Sequence, residues 1–439
     1  MAGYFLNSIG DRRNRWRVVA GSLVVALLLA GCAGGAPPTE DEPAPAAEEA
    51  PAEEAAPVEE EPIEEEAAAA EEDEGPIIIG AVFNATGWMA DYDQPPREAA
   101  LLAIEDINAA GGILGREVQL IERDGETDPT KVREVTQEMI DEGADAIIAP
   151  CDFDIGGPAS QAAQGAGLIG VSTCATSPLY GSTILGDKQF TVGAWNNILA
   201  AAMAEYGYEE LEWRTAYVVV DTSIDYTLSL GDYFGEHFTA LGGEIVGEDT
   251  YVAGDEDFSA QIEAIQALEE EPDVLYVTGY SPYLGDILLA IREAGIETPL
   301  AGGDTYDDVN LFALLGPEYG SEIYMATHSW LRPEAGAEMA RFIEMYEAEY
   351  GVLPLSSFIV VGWDTVKILS QAMEAAGTTD GAAVAAAMEE MEFDLLSGEL
   401  SWSSAAEGHA TQKSTAIVQL QEGRPSFLGW ARPENPPEP

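Results

Sequence analysis

Two aromatic residues and an acid lie close together directly after the first strand-like run of the chain. Trp88, Asp91 and Tyr92 follow the apolar run Ile77–Val82 and precede a segment with helical spacing. In open α/β sheets, ligands bind at the loops that follow the carboxyl ends of strands. Aromatic walls with a few polar groups are typical of small-molecule sites. We therefore interpret this stretch as a ligand loop, against the alternative of an ordinary first unit of some α/β enzyme.

Residues for catalysis are scarce. The three histidines, His237, His328 and His409, have no recognisable relation to the cysteines. We find no glycine-rich phosphate loop, no His/Cys set with metal-ligand spacing and no G-x-S-x-G motif. This pattern predicts a protein that is not an enzyme and that uses no cofactor and no metal.

The elements that must position these side chains alternate as strand, loop and helix. The first helix is expected to open with Pro95 and Pro96 in its first turn and to end at Gly111-Gly112. Two sets of strands are predicted, followed by an antiparallel tail at Gly398–Leu428. Two such βα sets, joined by several short crossings, imply two similar lobes around a cleft. The predicted strands are Ile77–Val82, Val118–Glu122, Ala146–Ala149, Leu168–Ser172 and Phe190–Gly193 in the first set, and Ala216–Val220, Glu244–Gly247, Val274–Thr278, Pro299–Ala301 and Ile323–Ala326 in the second.

The first 75 residues have the composition of an export signal and a tether. Four arginines precede the apolar run Val18–Ala30, whose 13 residues are too few for a comfortable membrane span. Leu29–Cys32 looks like a bacterial lipobox, which implies cleavage before Cys32 and acylation of its thiol; the alternative is a plain signal peptide. Residues 33–75 are almost wholly Ala, Pro and Glu, a composition that favours a disordered tether.

The chain is extremely acidic, with a formal net charge of −62. Eighteen of its 80 acidic residues and four of its 18 basic residues precede Pro76, which leaves a net charge of −48 on the remainder. Nucleic acids and anionic lipid surfaces need a positive face, so this balance argues against both as partners. A solvated acidic surface on an exported protein is the favoured interpretation.

Two cysteines remain once Cys32 is assigned to lipidation. Cys151 and Cys174 each follow a strand-like run, Ala146–Pro150 and Leu168–Ser172, and could be neighbours across a parallel sheet. An exported protein meets an oxidising compartment, which favours a disulfide. Two free buried thiols are the alternative.

Five stretches of the chain together form a specific pattern. They are AIEDINAAGGILGREVQLIERDGETDP (Ala103–Pro129), STCATSP (Ser172–Pro178), GEDTYVAGDEDFSAQIEAI (Gly247–Ile265), DVLYVTGYSPYLGDILLAIREAG (Asp273–Gly295) and LAGGDTYDD (Leu300–Asp308). In this order they resemble a known family, the solute-binding proteins of ABC importers of the branched-chain amino-acid type. The resemblance covers Ile77 to Leu428 and implies the type I periplasmic-binding-protein fold, an α/β fold of two doubly wound Rossmann-like lobes joined by about three hinge crossings. It also implies lobe 1 at 76–195 and 328–405, lobe 2 at 196–327 and 406–430, and a tail at 431–439.

The resemblance implies ligand-binding residues in both lobes. Asp304 stands where the family places a carboxylate for the ligand's ammonium group, and charge-assisted bonds of that kind are strong. Cys174, Ala175 and Thr176 match the segment that clamps an amino acid's backbone groups. The remaining candidates are Trp88, Tyr92, Asp152, Phe153 and Asp154 in the first lobe, and Tyr226 and Tyr280 in the second.

The third-strand loop departs from the family's pattern. Where the family commonly offers Ser or Thr hydroxyls, this chain has Asp152, Phe153 and Asp154. Two carboxylates would repel a ligand carboxylate unless they point away or the ligand lacks that group. With several aromatic residues nearby, the cleft could instead favour a cationic ligand through cation–π contacts.

The function expected is that of an extracytoplasmic receptor of an ABC importer, capturing an amino acid, an amide or a related small amine. The expected partners are that small molecule, the permease subunits of the importer and the membrane, through the lipid on Cys32; nucleic acid is not a partner, and the protein is expected to be a monomer. It would sit on the outer face of the cytoplasmic membrane. The alternative is a ligand sensor that signals to a membrane kinase or a chemoreceptor.

Overall fold

The computed structural model of the chain describes residues 75–439. The predicted signal peptide (1–31), the lipidation site Cys32 and the tether as far as residue 74 lie outside these residues. Within the described part of the chain, no helix has both the length and the apolar character to cross a bilayer.

A five-stranded parallel sheet forms the centre of the first lobe. Its strand order is β2-β1-β3-β4-β5. The inner strands are almost continuously apolar because parallel strands are covered by helices on both faces; every residue of β3 is buried. The strands are β1 Ile77–Val82, β2 Val118–Arg123, β3 Ala146–Ala149, β4 Ile169–Ser172 and β5 Gln189–Thr191.

A seven-stranded mixed sheet forms the second lobe, and a small three-stranded sheet lies beside the first. The five strands of the second lobe that come first in the chain are parallel, and the last two pair antiparallel along one edge. The strands are β6 Thr215–Asp221, β7 Glu244–Tyr251, β8 Val274–Val277, β9 Leu300–Gly302 and β10 Ile323–Thr327; then β11 Phe393–Leu395, β12 Gly398–Trp402 and β13 Thr411–Lys413 of the small sheet; and β14 Thr415–Gln421 and β15 Arg424–Ala431. The seven-stranded order is β15-β14-β10-β9-β8-β6-β7.

Helices cover both faces of the two large sheets. They are α1 Ala90–Ala109, α2 Pro129–Asp141, α3 Phe153–Ala166, α4 Ser182–Leu185, α5 Asn196–Glu209, α6 Asp225–Ala240, α7 Ser259–Gln266, α8 Tyr283–Glu293, α9 Val309–Tyr319, α10 Ala337–Tyr350, α11 Phe358–Ala376 and α12 Gly381–Glu390. The expected class, two doubly wound α/β lobes, is confirmed.

Helix α1 begins earlier than its prolines predict. The helix starts at Ala90, so Pro95 and Pro96 lie inside it and not in its first turn. The expectation of a loop running as far as Tyr92 was therefore wrong, because Ala90–Tyr92 already has helical geometry. The end is as predicted: Gly112 has a φ of +83°, and a Cβ there would lie 1.8 Å from the Arg116 carbonyl oxygen.

The chain crosses between the two large sheets three times. It leaves the first lobe after β5, returns after β10, and crosses again between β13 and β14 at Ser414. The small sheet packs on the first lobe's core through Phe393, Leu400 and Trp402. Its last strand, β13, lies beyond residue 405. The third crossing therefore comes later in the chain than the boundary at residue 405 that the resemblance implied.

Candidate functional site

One cavity between the lobes collects side chains from the carboxyl ends of six strands. In the first lobe they follow β1, β3 and β4, and in the second they follow β6, β8 and β9. Nine residues expected at the site line it: Trp88, Tyr92, Asp152, Cys174, Ala175, Thr176, Tyr226, Tyr280 and Asp304. Five others were not expected: Met89, Cys151, Ile224, Thr305 and Phe358.

The aromatic residues after β1 form a wall that reaches the other lobe. The rings of Trp88 and Tyr280 lie 4.2 Å apart between centroids, and the ring of Tyr92 lies 5.2 Å from that of Phe358. The hydroxyl of Tyr92 accepts a hydrogen bond from the Ser281 backbone N–H at 2.7 Å. Burial raises the pKa of Tyr92 well above its ordinary value, so the phenol stays neutral.

Asp304 is the buried carboxylate of the second lobe's wall, with only 2% of its surface exposed. The Tyr226 hydroxyl donates a hydrogen bond to its Oδ1 at 2.8 Å. The Nε2 atom of His328 lies 3.0 Å from its Oδ2, although the approach is not aligned as a hydrogen bond. Burial, and then the charge of Asp304, raise the pKa of Tyr226 well above its ordinary value, which keeps that hydroxyl a donor.

His328 was not predicted to lie near the site, because nothing in the surrounding sequence indicates that it does. It is the first residue after β10, fully buried, with its ring edge against Phe358. Only the return of the chain from the second lobe to the first brings it beside Asp304.

Asp152 lines the cavity from the amino end of α3. Its carboxylate accepts a hydrogen bond from the Ile155 backbone N–H at 3.0 Å, as a helix cap does. Burial, and then the charge of Asp154, raise its pKa to about 8. Both effects make the protonated form of this side chain easier to reach than that of an exposed aspartate.

Phe153 and Asp154 do not line the cavity. Phe153 packs against the first lobe's core, and Asp154 is exposed, with its Oδ2 accepting a hydrogen bond from the Asp225 backbone N–H at 2.9 Å. The helical geometry of α3 turns these two side chains away from the side that Asp152 presents. Of the acids in this loop, only Asp152 faces the ligand space.

A disulfide joins Cys151 to Cys174. It links the ends of β3 and β4, which are neighbours in the parallel sheet, and both residues line the cavity. The bond holds the loop of Asp152 against the segment that carries Thr176.

The lobes are closed on one another. Besides the contacts of Tyr92 and Asp154, the Ser177 hydroxyl donates to the Asp225 carboxylate, and Asn310 donates to Asp91 at 3.3 Å. The cavity that remains measures about 30 Å³, room for roughly two water molecules. A solute of amino-acid size therefore fits between the lobes only when they stand further apart than they do here.

Comparison with known proteins agrees with this architecture. A family model for periplasmic binding proteins matches residues 76–425. The Leu/Ile/Val-binding protein BraC3 of Rhizobium johnstonii is 25% identical over 351 residues, which are 79% of this chain and 92% of BraC3.

Two solved structures have the same fold. LivJ of Streptococcus pneumoniae, a branched-chain amino acid transporter substrate-binding protein in complex with isoleucine, has a TM-score of 0.72 and 26% identity over 81% of this chain and 99% of LivJ. The leucine-binding protein LivK of Thermotoga maritima has a TM-score of 0.73 and 24% identity, covering 82% of this chain and 99% of LivK. By the family match over residues 76–425, the chain belongs to the periplasmic binding protein family.

Proposed function

We propose that this protein is the extracytoplasmic receptor of an ABC importer and that it captures an amino acid, an amide or a related small amine between its closing lobes. The observation that carries the proposal is Asp304, a carboxylate 2% exposed on the wall of an aromatic-lined cavity between the lobes. The isoleucine bound to LivJ and the name of BraC3 support an amino acid as the ligand.

The ammonium group of the ligand binds Asp304. A buried carboxylate needs a positive partner, and a charge-assisted hydrogen bond is roughly twice as strong as a neutral one. Trp88, Tyr280 and Phe358 supply the apolar wall for the rest of the ligand. Their rings also favour a cation by cation–π attraction, so amines remain within the expected range.

Capture proceeds by opening and closing of the lobes about their three crossings. The closed form leaves too little space for entry, so the open form must admit the solute. The contacts of Tyr92 with Ser281 and of Asp154 with Asp225 then form across the cleft. A ligand that touches both lobes stabilises a form in which the lobes have closed around it over the open form.

The location and partners follow from the amino-terminal sequence and the family. A lipid on Cys32 would hold the protein at the outer face of the cytoplasmic membrane, with residues 33–75 as the tether. From there a monomer would deliver its ligand to the permease subunits. Labelling with a radioactive fatty acid, which should be lost in Cys32→Ser, tests the anchor.

A thermal-shift screen of the purified full-length protein tests the function. The panel pairs each of leucine, isoleucine and valine with its amino alcohol, which lacks the carboxylate, and with its deaminated acid, which lacks the ammonium. Choline and simple amides complete it. We expect an ammonium-bearing solute to raise the melting temperature, because binding only to the folded state stabilises it. If no solute does so at millimolar concentration, the proposal fails.

A further inference from the structure

His328 is a fully buried histidine on the second crossing, and neither of its ring nitrogens makes an aligned hydrogen bond with the described part of the chain. Its Nε2 atom lies 3.0 Å from Oδ2 of Asp304, the carboxylate that we propose for the ligand's ammonium group. We infer that His328 is an imidazolium ion that supplies the positive charge beside Asp304 in the ligand-free protein, and that it releases a proton when an ammonium group binds there. The inference rests on the proposed function and adds a regulation of that site by pH.

The proton on Nε2 follows from the distance to Asp304. A deprotonated ring nitrogen and a carboxylate oxygen both present lone pairs, which repel one another at 3.0 Å. The other oxygen of Asp304 accepts a hydrogen bond from the Tyr226 hydroxyl at 2.8 Å, and burial keeps that phenol neutral by raising its pKa. Of these two neighbours of the buried carboxylate, only His328 can carry the positive charge that such a carboxylate needs.

The surroundings of the ring favour a second proton, on Nδ1. Asp307, on the turn after β9, is buried; burial raises its pKa, and its bonds to Ser357 and the charge of His328 oppose that rise. Phe358 on α11 packs a hydrocarbon ring against the imidazole, with 5.0 Å between the centroids. Two acids therefore act on His328, and both stabilise its charged form. The other titratable groups that interact with Asp304 are phenols that burial keeps neutral, Tyr92 on α1, Tyr226 on α6 and Tyr276 on β8.

A bound ammonium group changes this balance. It takes the same carboxylate as the imidazolium, and two positive charges so close together in a buried site oppose one another. The Nδ1–H bond of His328 then breaks and its proton passes to the solvent, whereas Nε2 keeps its proton toward Asp304. Because binding favours the neutral ring, the affinity for an ammonium-bearing solute falls as the pH falls through the range in which histidine takes up a proton.

Nitrogen NMR of the full-length protein labelled with nitrogen-15 histidine tests the charge itself. The chain has three histidines, and the spectrum of His328→Gln identifies the signals of His328 by their absence. We expect both ring nitrogens of His328 to be protonated at pH 6 without a ligand, and one of them to be deprotonated when a solute saturates the site. A neutral ring at pH 6 in the ligand-free protein would overturn the inference.

Titration calorimetry at pH 6 in two buffers of different ionisation enthalpy counts the protons that binding releases. The probes are leucine, isoleucine and valine, each with its deaminated acid, and choline. We expect a cationic or ammonium-bearing probe that binds to release about one proton, and a deaminated acid, which brings no positive charge, to release none. Between pH 7.5 and 5.5 the affinity for the tightest ammonium-bearing probe should fall about tenfold.

Two variants separate this role from simple packing against Phe358. His328→Gln keeps an N–H group for Asp304 but cannot become charged; we expect it to release no proton, to bind more tightly than the wild type at pH 5.5 and to keep its affinity up to pH 7.5. His237→Gln is the matched control, since His237 is also buried in the second lobe and lies 2.9 Å from the Glu205 carboxylate. Its proton release and its pH profile should equal those of the wild type.

The outcomes are distinct from those for the proposed function. If solutes bind without proton release, or if the wild type and His328→Gln show the same pH profile, the inference is overturned and the receptor function stands. A packing role alone would change the affinity of His328→Gln equally at every pH. If no probe binds, the proposed function fails, and the spectra of the ligand-free protein still decide whether His328 carries the charge.

Discussion

Each oxygen of the Asp304 carboxylate has a polar neighbour. One neighbour belongs to the same lobe, and the other lies on the crossing after β10. The Tyr226 hydroxyl bonds one oxygen and the His328 ring lies at the other. Thr305 adds a hydroxyl 3.0 Å from that of Tyr226 and donates to the Gly279 carbonyl. These contacts fix the direction of the carboxylate before a ligand arrives. Because the carboxylate is already held in place, little free energy is spent on ordering it when the ligand binds.

Replacing Asp304 by Asn should weaken the binding of an ammonium-bearing ligand by about 10- to 100-fold. This factor corresponds to the free energy of a hydrogen bond to a charged group. Titration calorimetry with the best solute of the thermal-shift panel measures the change. Asp286→Asn is the matched control, since it removes an exposed acid on α8 of the same lobe, and its affinity should equal that of the wild type. Equal affinities for both variants would remove Asp304 from the site.

Helices α1 and α11 pack at very short range and carry the aromatic residues of the site. Gly362 of α11 faces the backbone of Pro96 in α1, and a Cβ on it would lie 1.8 Å from the Pro96 carbonyl oxygen. The pair positions Tyr92 from one helix and Phe358 from the other. The contact between the rings of Tyr92 and Phe358 therefore depends on this glycine.

Gly362→Ala should destabilise the protein by about 1–3 kcal/mol or more, because the clash is with backbone and cannot be relieved by a rotamer change. Gly235→Ala is the matched control. Gly235 lies within α6, where an added Cβ would meet no neighbouring element within 4 Å, and alanine there should gain about 0.5–1 kcal/mol from helix propensity. Urea unfolding of both variants measures the difference, and similar values for the two would refute the close approach.

A buried ammonium, that of Lys413, lies next to the third crossing and bonds to the first. It donates to the Val192 carbonyl at 3.0 Å, on the first crossing, and to the Ser397 hydroxyl at 2.6 Å. Ser329, on the second crossing, donates to the Leu396 carbonyl at 3.1 Å. Burial lowers the pKa of Lys413 to about 8, an effect opposed by the charge of Asp364. Motion of the lobes must keep this network or rearrange it.

Lys413→Met should lower the free energy of unfolding by about 3–5 kcal/mol at pH 7, because it leaves the buried Asp364 carboxylate without its positive neighbour. Adding Asp364→Asn should recover part of that loss. Lys367→Met is the control: its partly exposed ammonium pairs with Asp106 at 2.7 Å, so about 1 kcal/mol or less is expected. Chemical denaturation compares all three, and a loss below 1 kcal/mol for Lys413→Met would contradict this role.

The strands were predictable and the helix ends were less so. Buried parallel strands are short apolar runs, which are easy to recognise in a sequence. Each of the ten predicted strands overlaps a strand of the two large sheets. Helix α1 starts five residues before its first proline because tertiary packing of Tyr92 and Met89 extends it. Helix α9 was not predicted, since Gly316 and Pro317 interrupt its pattern.

The sequence by itself determined the βα order, the two lobes and the family, because these follow from apolar periodicity and from motifs that are contiguous in the chain. Through the resemblance to the family it also implied most of the residues that line the cavity, and these lie in loops at the carboxyl ends of parallel strands, where ligands bind in open α/β sheets. Only the tertiary structure decided which acids face the ligand. Whether Asp152 or Asp154 turns inward depends on the start of α3, and the approach of His328 to Asp304 depends on the path of a crossing. Both are set by contacts between residues far apart in the sequence, which no local pattern records.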